Sequence, residues 1–192
     1  MARPRSFDER EVLNRALDTF WRQGYEATSM QDLVDAMGIS RASLYNAFGS
    51  KHALFIEVLK HYEQQRMHQL VERLRDASVP ADEAIRTVLE HAAEDATAAD
   101  GPGCLMTNTA TEMCARDTEC AERVQSTFAR IEAAFEDALR RGQAAGELHV
   151  DAPRATARFL TNSLQGLRVM AMAHPNPSAL RDVVNVTMQA IG

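Results

Sequence analysis

Between positions 40 and 46 the chain sets Ser40, Arg41, Ser43, Tyr45 and Asn46 within seven residues that contain no acid. If Leu44 and Phe48, four apart, mark the inner face of a helix, these polar side chains share its outer flank. An arginine fork there matches the paired acceptors of a guanine edge, and the Asn46 amide matches adenine or a backbone oxygen of a nucleic acid. Ser40, Ala42 and Ser43 are small enough to let such a helix sink into a duplex groove. Lys51 opens the next helix and adds a cation beside free N–H groups, which together attract phosphate; the alternative is a solvated surface lysine. Thr28 and Ser29 offer hydroxyls to phosphate as well as to the backbone, and Arg3 and Arg5 are expected either to reach the neighbouring backbone or to be disordered.

Cys104 is the second reactive position. It follows Gly101, Pro102 and Gly103 directly at an expected helix start, where the helix dipole lowers a thiol pKa and sharpens its nucleophilicity. The competing reading is an inert, partly buried cysteine. Cys104 and Cys114, ten apart on one helix, would lie roughly 15 Å apart and cannot bridge, whereas Cys114 and Cys120 flank a turn within reach of each other. Three cysteines in a chain whose first ten residues carry charge and no secretory pattern argue for reduced thiols and a cytoplasmic location.

Catalytic constellations are not apparent. The six histidines are scattered, and Glu57, His61 and His68, at i, i+4 and i+11, lack a second ligand-rich partner. There is no phosphate-cradling glycine loop, nucleophile elbow or Cys-x-x-Cys pair. The expectation is therefore no enzyme, no metal and no cofactor.

The elements that position these residues read as all-α. Val12, Leu13, Ala16, Leu17, Phe20 and Trp21 recur at helical spacing from about Asp8 to Gln23. Ser29 with Asp32 is a capping box for a two-turn helix that ends at Gly38, and Ser40 caps the next helix. A helix opening at Lys51 is expected to run to about Arg75, its second half mostly polar and bridging two parts of the molecule. Further helices are expected from the Pro80 region to about Ala99, from Cys104 to about Ala115, from Glu119 to Ala144, and over 153–173 and 178–190. ADGPG at 99–103 reads as a break.

The stretches ALDTFWRQGYEATSM, MGIS, RASLYNAF and SKHALF, spaced from about Phe7 to His61, resemble the TetR family of bacterial transcriptional regulators. The resemblance implies an N-terminal three-helix, helix-turn-helix DNA-binding domain over 6–66, with the motif at about 29–48, and a helical ligand-binding and dimerisation domain over 67–192. It places Tyr45 on a phosphate, the alternative being a half-buried ring packed on the first helix. It implies a homodimer through the last two long helices, with Ser163 and Gly166 permitting close approach; otherwise Phe159, Leu164, Leu167 and Met170 simply fill the monomer core. It also implies a small-molecule effector bound in the body, for which Met67, His91, Cys104, Met106, Asn108, Met113 and Phe128 are candidate contacts. The expected function is a repressor released from palindromic operator DNA by such a signal, with electrophiles or oxidants as candidates through Cys104.

Composition agrees with a folded reader of DNA. At 192 residues, 45% hydrophobic and 25% charged, the chain is an ordinary globular protein, and Arg168 interrupts its most apolar stretch, so no membrane partner is expected. Residues 1–52 carry seven basic and seven acidic groups, while the other 140 carry 14 and 20, so the whole −6 charge lies in the body. A neutral head beside an acidic body suits specific binding and gives weak non-specific affinity.

Overall fold

Side-chain caps start each of the first four helices. Asp8 accepts from the N–H groups of Arg10 and Glu11 to begin α1 (Glu9–Gln23), and Ser29 accepts from Asp32 to begin α2 (Met30–Met37). Ser40 caps α3 (Arg41–Phe48) through the Ser43 N–H, and Ser50 caps α4 (Lys51–Tyr62) through that of Ala53. Each cap satisfies a donor that a helix start leaves free. The expected capping box is complete, because the Ser29 N–H also donates to Asp32 Oδ2 at 2.7 Å. Gly38 turns the chain between α2 and α3 in the left-handed region, at φ +67°, where an added Cβ would also sit 3.1 Å from an Arg15 guanidinium nitrogen. Phe20, Leu33, Met37, Leu44, Leu54 and Phe55 fill the core of this head, with the Phe20 and Phe55 rings edge to face at 5.0 Å.

The computed structural model describes residues 8–97 and 103–192. Arg3, Arg5, the helix end expected at Ala99 and most of the break at 99–103 lie outside the described residues. After α4 comes a π-helical turn, Glu63–Met67, then α5 (His68–Arg75), α6 (Ala81–Thr97), α7 (Leu105–Glu112), α8 (Thr118–Ala145), α9 (Pro153–Ala173) and α10 (Pro177–Gln189). Every regular element among the described residues is helical.

The stretch expected as one polar bridging helix differs from that reading. Met67, Leu70, Val71 and Leu74 are buried and pack α5 along α8. Their 3-1-3 spacing is a narrow apolar seam in a helix whose average is polar, and the seam decides the packing. The π turn adds a residue to the winding, which swings the inward face from the head to α8. Glu63 on that turn is held by two groups of α8: Arg123 Nη1 at 2.9 Å and the Thr127 hydroxyl, which donates to it.

α8 is the mast of the body, packed by α5, α6, α7 and α9. Gly142 near its end is required by closeness: a Cβ there would lie 2.6 Å from Leu148 Cδ1 and 2.9 Å from the Ala81 Cβ. α7 is shorter than expected, starting after Cys104 and ending at Glu112. α9 and α10 bury Leu160, Leu164, Leu167, Leu180 and Val184. The same two helices expose Phe159, Val169, Met170, Met172, Val183 and Val186. Phe159 and Met170 therefore do not fill the core of the single chain. Gly166 is exposed with open space above it, and Ser163 is half-buried.

Candidate functional site

The outer flank of α3 is formed as its spacing requires. Leu44 is fully buried, while Ser40, Arg41, Ala42, Tyr45 and Asn46 are exposed and Ser43 is half-buried. Ser40 and Ser43 bond each other at 2.9 Å, which ties both hydroxyls to the first turn. Tyr45 is 44% exposed. Lys51 opens α4 with its Nζ 4.4 Å above the centroid of the Tyr25 ring, a cation–π contact that fixes the ammonium beside the head. Ser29 is exposed at the start of α2, its hydroxyl oxygen accepting from the Asp32 N–H. Thr28 differs from expectation: it is 1% exposed and its hydroxyl donates to the Gly24 carbonyl at 2.6 Å. That bond closes the loop between α1 and α2, so the side chain is committed inward.

Head and body are joined by polar contacts around the α7–α8 turn. The Glu112 carboxylate accepts from the backbone N–H groups of Tyr25 and Glu26 at 2.9 and 2.8 Å. His52 Nε2 lies 2.7 Å from Asp117 Oδ2, and Asp117 Oδ1 caps α8 by accepting from Cys120 N–H at 2.8 Å. That backbone bond is the largest influence holding the Asp117 carboxyl below its usual range, with His52 adding to it. Cys120 is buried, and burial together with Asp117 pushes its thiol up to about 12.

Cys104 is only 2% exposed, at the N-cap of α7, and its side chain makes no cap bond. Tyr62 donates its hydroxyl to Cys104 Sγ at 3.7 Å and Arg168 Nη1 donates at 3.5 Å. Burial by itself would raise this thiol, but the Arg168 charge and hydrogen bonds from Thr107 and Tyr62 outweigh it and hold it below the ordinary cysteine value. The same burial drives the Tyr62 phenol well above its usual range, so it stays a donor. Gln165 accepts from the Thr107 hydroxyl at 2.8 Å, and its buried Nε2 has no partner among the described residues. The sulfur thus rests in a donor-rich cradle drawn from α4, α7 and α9.

The other candidate effector contacts differ in burial. Met67, Met106 and Met113 are core side chains, and Phe128 packs against that core. Asn108 is half-buried on α7. His91 is half-buried on α6 with its Nδ1 2.5 Å from Arg73 Nη1. Their helical periodicity signalled burial; it carried no information on which of them meet. The three cysteines are free thiols, including Cys114 and Cys120. Glu57, His61 and His68 are not gathered either: Glu57 pairs with Lys60, His61 with Asn14 and Gln65, and His68 lies 4.0 Å from Glu72. Tyr62 and Arg168 stand against Cys104, and sequence reasoning gave neither a part in a site. Arg168 carried a usable signal, as a charge within the most apolar stretch of α9.

Comparison with known proteins adds identity to this geometry. The family model "Bacterial regulatory proteins, tetR family" matches residues 12–58, and "Tetracyclin repressor-like, C-terminal domain" matches residues 81–187. YezE of Bacillus subtilis (strain 168), an uncharacterized HTH-type transcriptional regulator, is 34% identical over the full length of both chains. The HTH-type transcriptional repressor ComR of Escherichia coli (strain K12) is 30% identical over 97% of this chain and 90% of its own. Among solved structures, a cysteine mutant of the TetR family regulator CifR complexed with 26-base-pair operator DNA is 34% identical, with a TM-score of 0.84 over 98% and 99% of the two chains. No described helix is long and apolar enough to cross a membrane. With a head that turns Arg41, Tyr45 and Asn46 outward and a body whose helices match the family throughout, the chain belongs to the TetR family of bacterial transcriptional regulators.

Proposed function

We propose that the chain is a repressor that binds a palindromic operator as a homodimer and leaves it when a small electrophile or oxidant reacts at Cys104. The observation that carries the DNA-binding part is the flank of α3, exposed at Arg41, Tyr45 and Asn46 over a buried Leu44. One such helix reads only a few base pairs, so a symmetric pair is needed for genomic specificity. The exposed apolar side chains of α9 and α10 are the surface for that pairing. Arg41 reads a guanine edge, Asn46 an adenine or a backbone oxygen, and Tyr45, Lys51 and the Ser29 hydroxyl hold phosphates. Thr28 contributes no side chain to this interface.

Residues 6–66 act as the head and 67–192 as the body in this reading, with the π turn at their junction. A thiolate favoured by Arg168 adds to the β-carbon of a short enal, whose C=C π bond opens and takes up a proton from water, or attacks peroxide, forming S–O as the O–O bond breaks and hydroxide leaves; the added group displaces the Tyr62 hydroxyl. Tyr62 ends α4, whose first turn carries Lys51, and its ring meets Trp21 of α1 edge to face at 5.1 Å. Modification therefore favours a different setting of the head, and only that differential affinity can release DNA. Because Cys104 is enclosed, small reagents such as peroxide or a short enal gain access before bulky ones. The chain has no role as an enzyme here, and a regulator of this kind works in the cytoplasm, where its DNA is.

Recovery of genomic fragments bound by the purified protein, followed by gel shift on the strongest fragment, tests both parts. Expected is a retarded complex that dissolves on treatment with a small electrophile and persists for Cys104→Ser. Failure to retain any fragment would sink the DNA-binding reading, and equal release of Cys104→Ser would remove the thiol mechanism.

A further inference from the structure

We propose that His52, Asp117 and Cys120 form a binding site for a zinc-class divalent cation that clamps the first turn of α4 to the start of α8. One ligand atom from each of the three lies within 4.8 Å of the other two. They come from opposite sides of the junction between head and body, 65 and 68 positions apart, and supply an imidazole, a carboxylate and a thiol. That donor set suits a borderline metal such as zinc and is unsuited to magnesium or calcium, which require oxygen ligands. Three protein ligands with the fourth position open is a familiar arrangement for a metal that exchanges. Water fills that position.

The surroundings fit as well as the ligands. Asp117 uses Oδ1 to cap α8 and turns Oδ2 toward His52, so the oxygen that would ligate is separate from the one that holds the carboxylate in place. His52 presents Nε2 to the cluster, and its other nitrogen lies 4.0 Å from Glu119 Oε2. A ligating histidine backed by a carboxylate on its far nitrogen is the usual outer shell of a metal site. Tetrahedral coordination with bonds of about 2.0 to 2.3 Å requires ligand atoms roughly 3.3 to 3.8 Å apart. The His52–Asp117 contact of 2.7 Å must therefore open slightly and Cys120 draw in, both within reach of side-chain rotation. His52 is 36% exposed on its side chain, which leaves an approach from solvent.

The α8 N-terminus carries roughly half a positive charge, which opposes a cation. One carboxylate and one thiolate bring two full negative charges and outweigh it. Binding is a proton exchange: the Cys120 S–H proton leaves to solvent, sulfur and Nε2 each donate a lone pair to the metal, and the imidazole proton moves to Nδ1 beside Glu119. One proton is released per ion. The clamp joins the turn that carries Lys51 to the body, so occupancy couples to the setting of the head.

Cobalt(II) added to the purified, reduced, metal-free full chain is the direct test. Expected are one cobalt per chain, a near-ultraviolet thiolate-to-metal charge-transfer band, visible bands of tetrahedral intensity, and displacement of all of them by zinc. Zinc added to the apo protein in weak buffer should release about one proton per chain. Cys120→Ser should abolish the charge-transfer band, and His52→Ala, a half-exposed site where folding is not at stake, should weaken cobalt affinity at least about tenfold. Cys104→Ser should bind as the parent does. Absence of the band in the parent, its survival in Cys120→Ser, unaltered affinity in His52→Ala, or its loss in Cys104→Ser would each overturn the site.

Discussion

Arg41 and Lys51 divide the labour of binding at the scale of single side chains. A fork on a base edge discriminates, whereas a point charge on phosphate holds every sequence alike. Arg41→Ala should cost roughly 1 to 3 kcal/mol on the operator and flatten preference at one base position, read by anisotropy across a base-substitution panel. Lys51→Ala should weaken the whole panel uniformly. Equal losses across the panel for Arg41→Ala would remove its reading role. Cys104 makes a different demand, since burial opposes its thiolate and the Arg168 cation supports it. Arg168→Gln should move the inflection of the alkylation rate to higher pH and slow reaction near neutrality, with Tyr62→Phe shifting it in the same direction by less. An unchanged pH–rate profile in Arg168→Gln would show that the guanidinium does not govern the thiol. The α3 flank was legible in the sequence because its geometry is local: Leu44 and Phe48 fix which way five neighbours point. The cradle of Cys104 was not, because Tyr62 and Arg168 stand 42 and 64 positions away and only the packing of α4 and α9 on α7 brings them in.

Helix ends and helix crossings set the next level. The Ser29–Asp32 box begins the helix that braces α3, so Ser29→Ala should lower stability by about 1 kcal/mol in thermal or denaturant unfolding. Asp32 adds a pH dependence whose sign follows from its shift. Its folded carboxyl is held below the ordinary value by hydrogen bonds from the Ser29 side chain and backbone, so its contribution is present above the unfolded value of 3.8 and fades as pH falls through the lower folded one. Asp32→Asn should flatten that part of the acid limb of the stability curve; an identical limb would mean that the box is not coupled to folding. Gly142 tests packing in the body. An added methyl meets Leu148 and the Ala81 methyl well inside contact distance, so Gly142→Ala should destabilise by about 1 to 3 kcal/mol although alanine favours helices. The capping signals were readable because they span only four residues. The π turn was not, since the periodicity of EQQRM hardly differs from that of an ordinary helix and it is the clasp of Glu63 by Arg123 and Thr127 that anchors the turn on α8.

The molecule as a whole is half of a reader. A single α3 covers too few base pairs, and the remaining apolar surface says where the second copy attaches: Val186, 64% exposed, and Met170, 57% exposed, stand on α10 and α9 with Phe159, Val169, Met172 and Val183 on the same pair. Four-helix contacts of this kind bury such side chains at about 25 cal/mol per Å², while a carboxylate buried there without a partner costs several kcal/mol. Val186→Glu combined with Met170→Glu should therefore turn a dimer into a monomer in sedimentation at micromolar concentration. Because both side chains already face solvent in the single chain, the far-ultraviolet circular dichroism and the thermal unfolding of the monomer should still report a helical fold. Loss of pairing separates the two heads, so affinity for a full palindrome should fall by at least about tenfold toward that for a single half-site. A double variant that stays dimeric would move the interface elsewhere. One that is monomeric yet binds the palindrome as tightly as the parent would remove the need for a symmetric pair, and with it the means by which a change at Tyr62 could alter the distance between two heads.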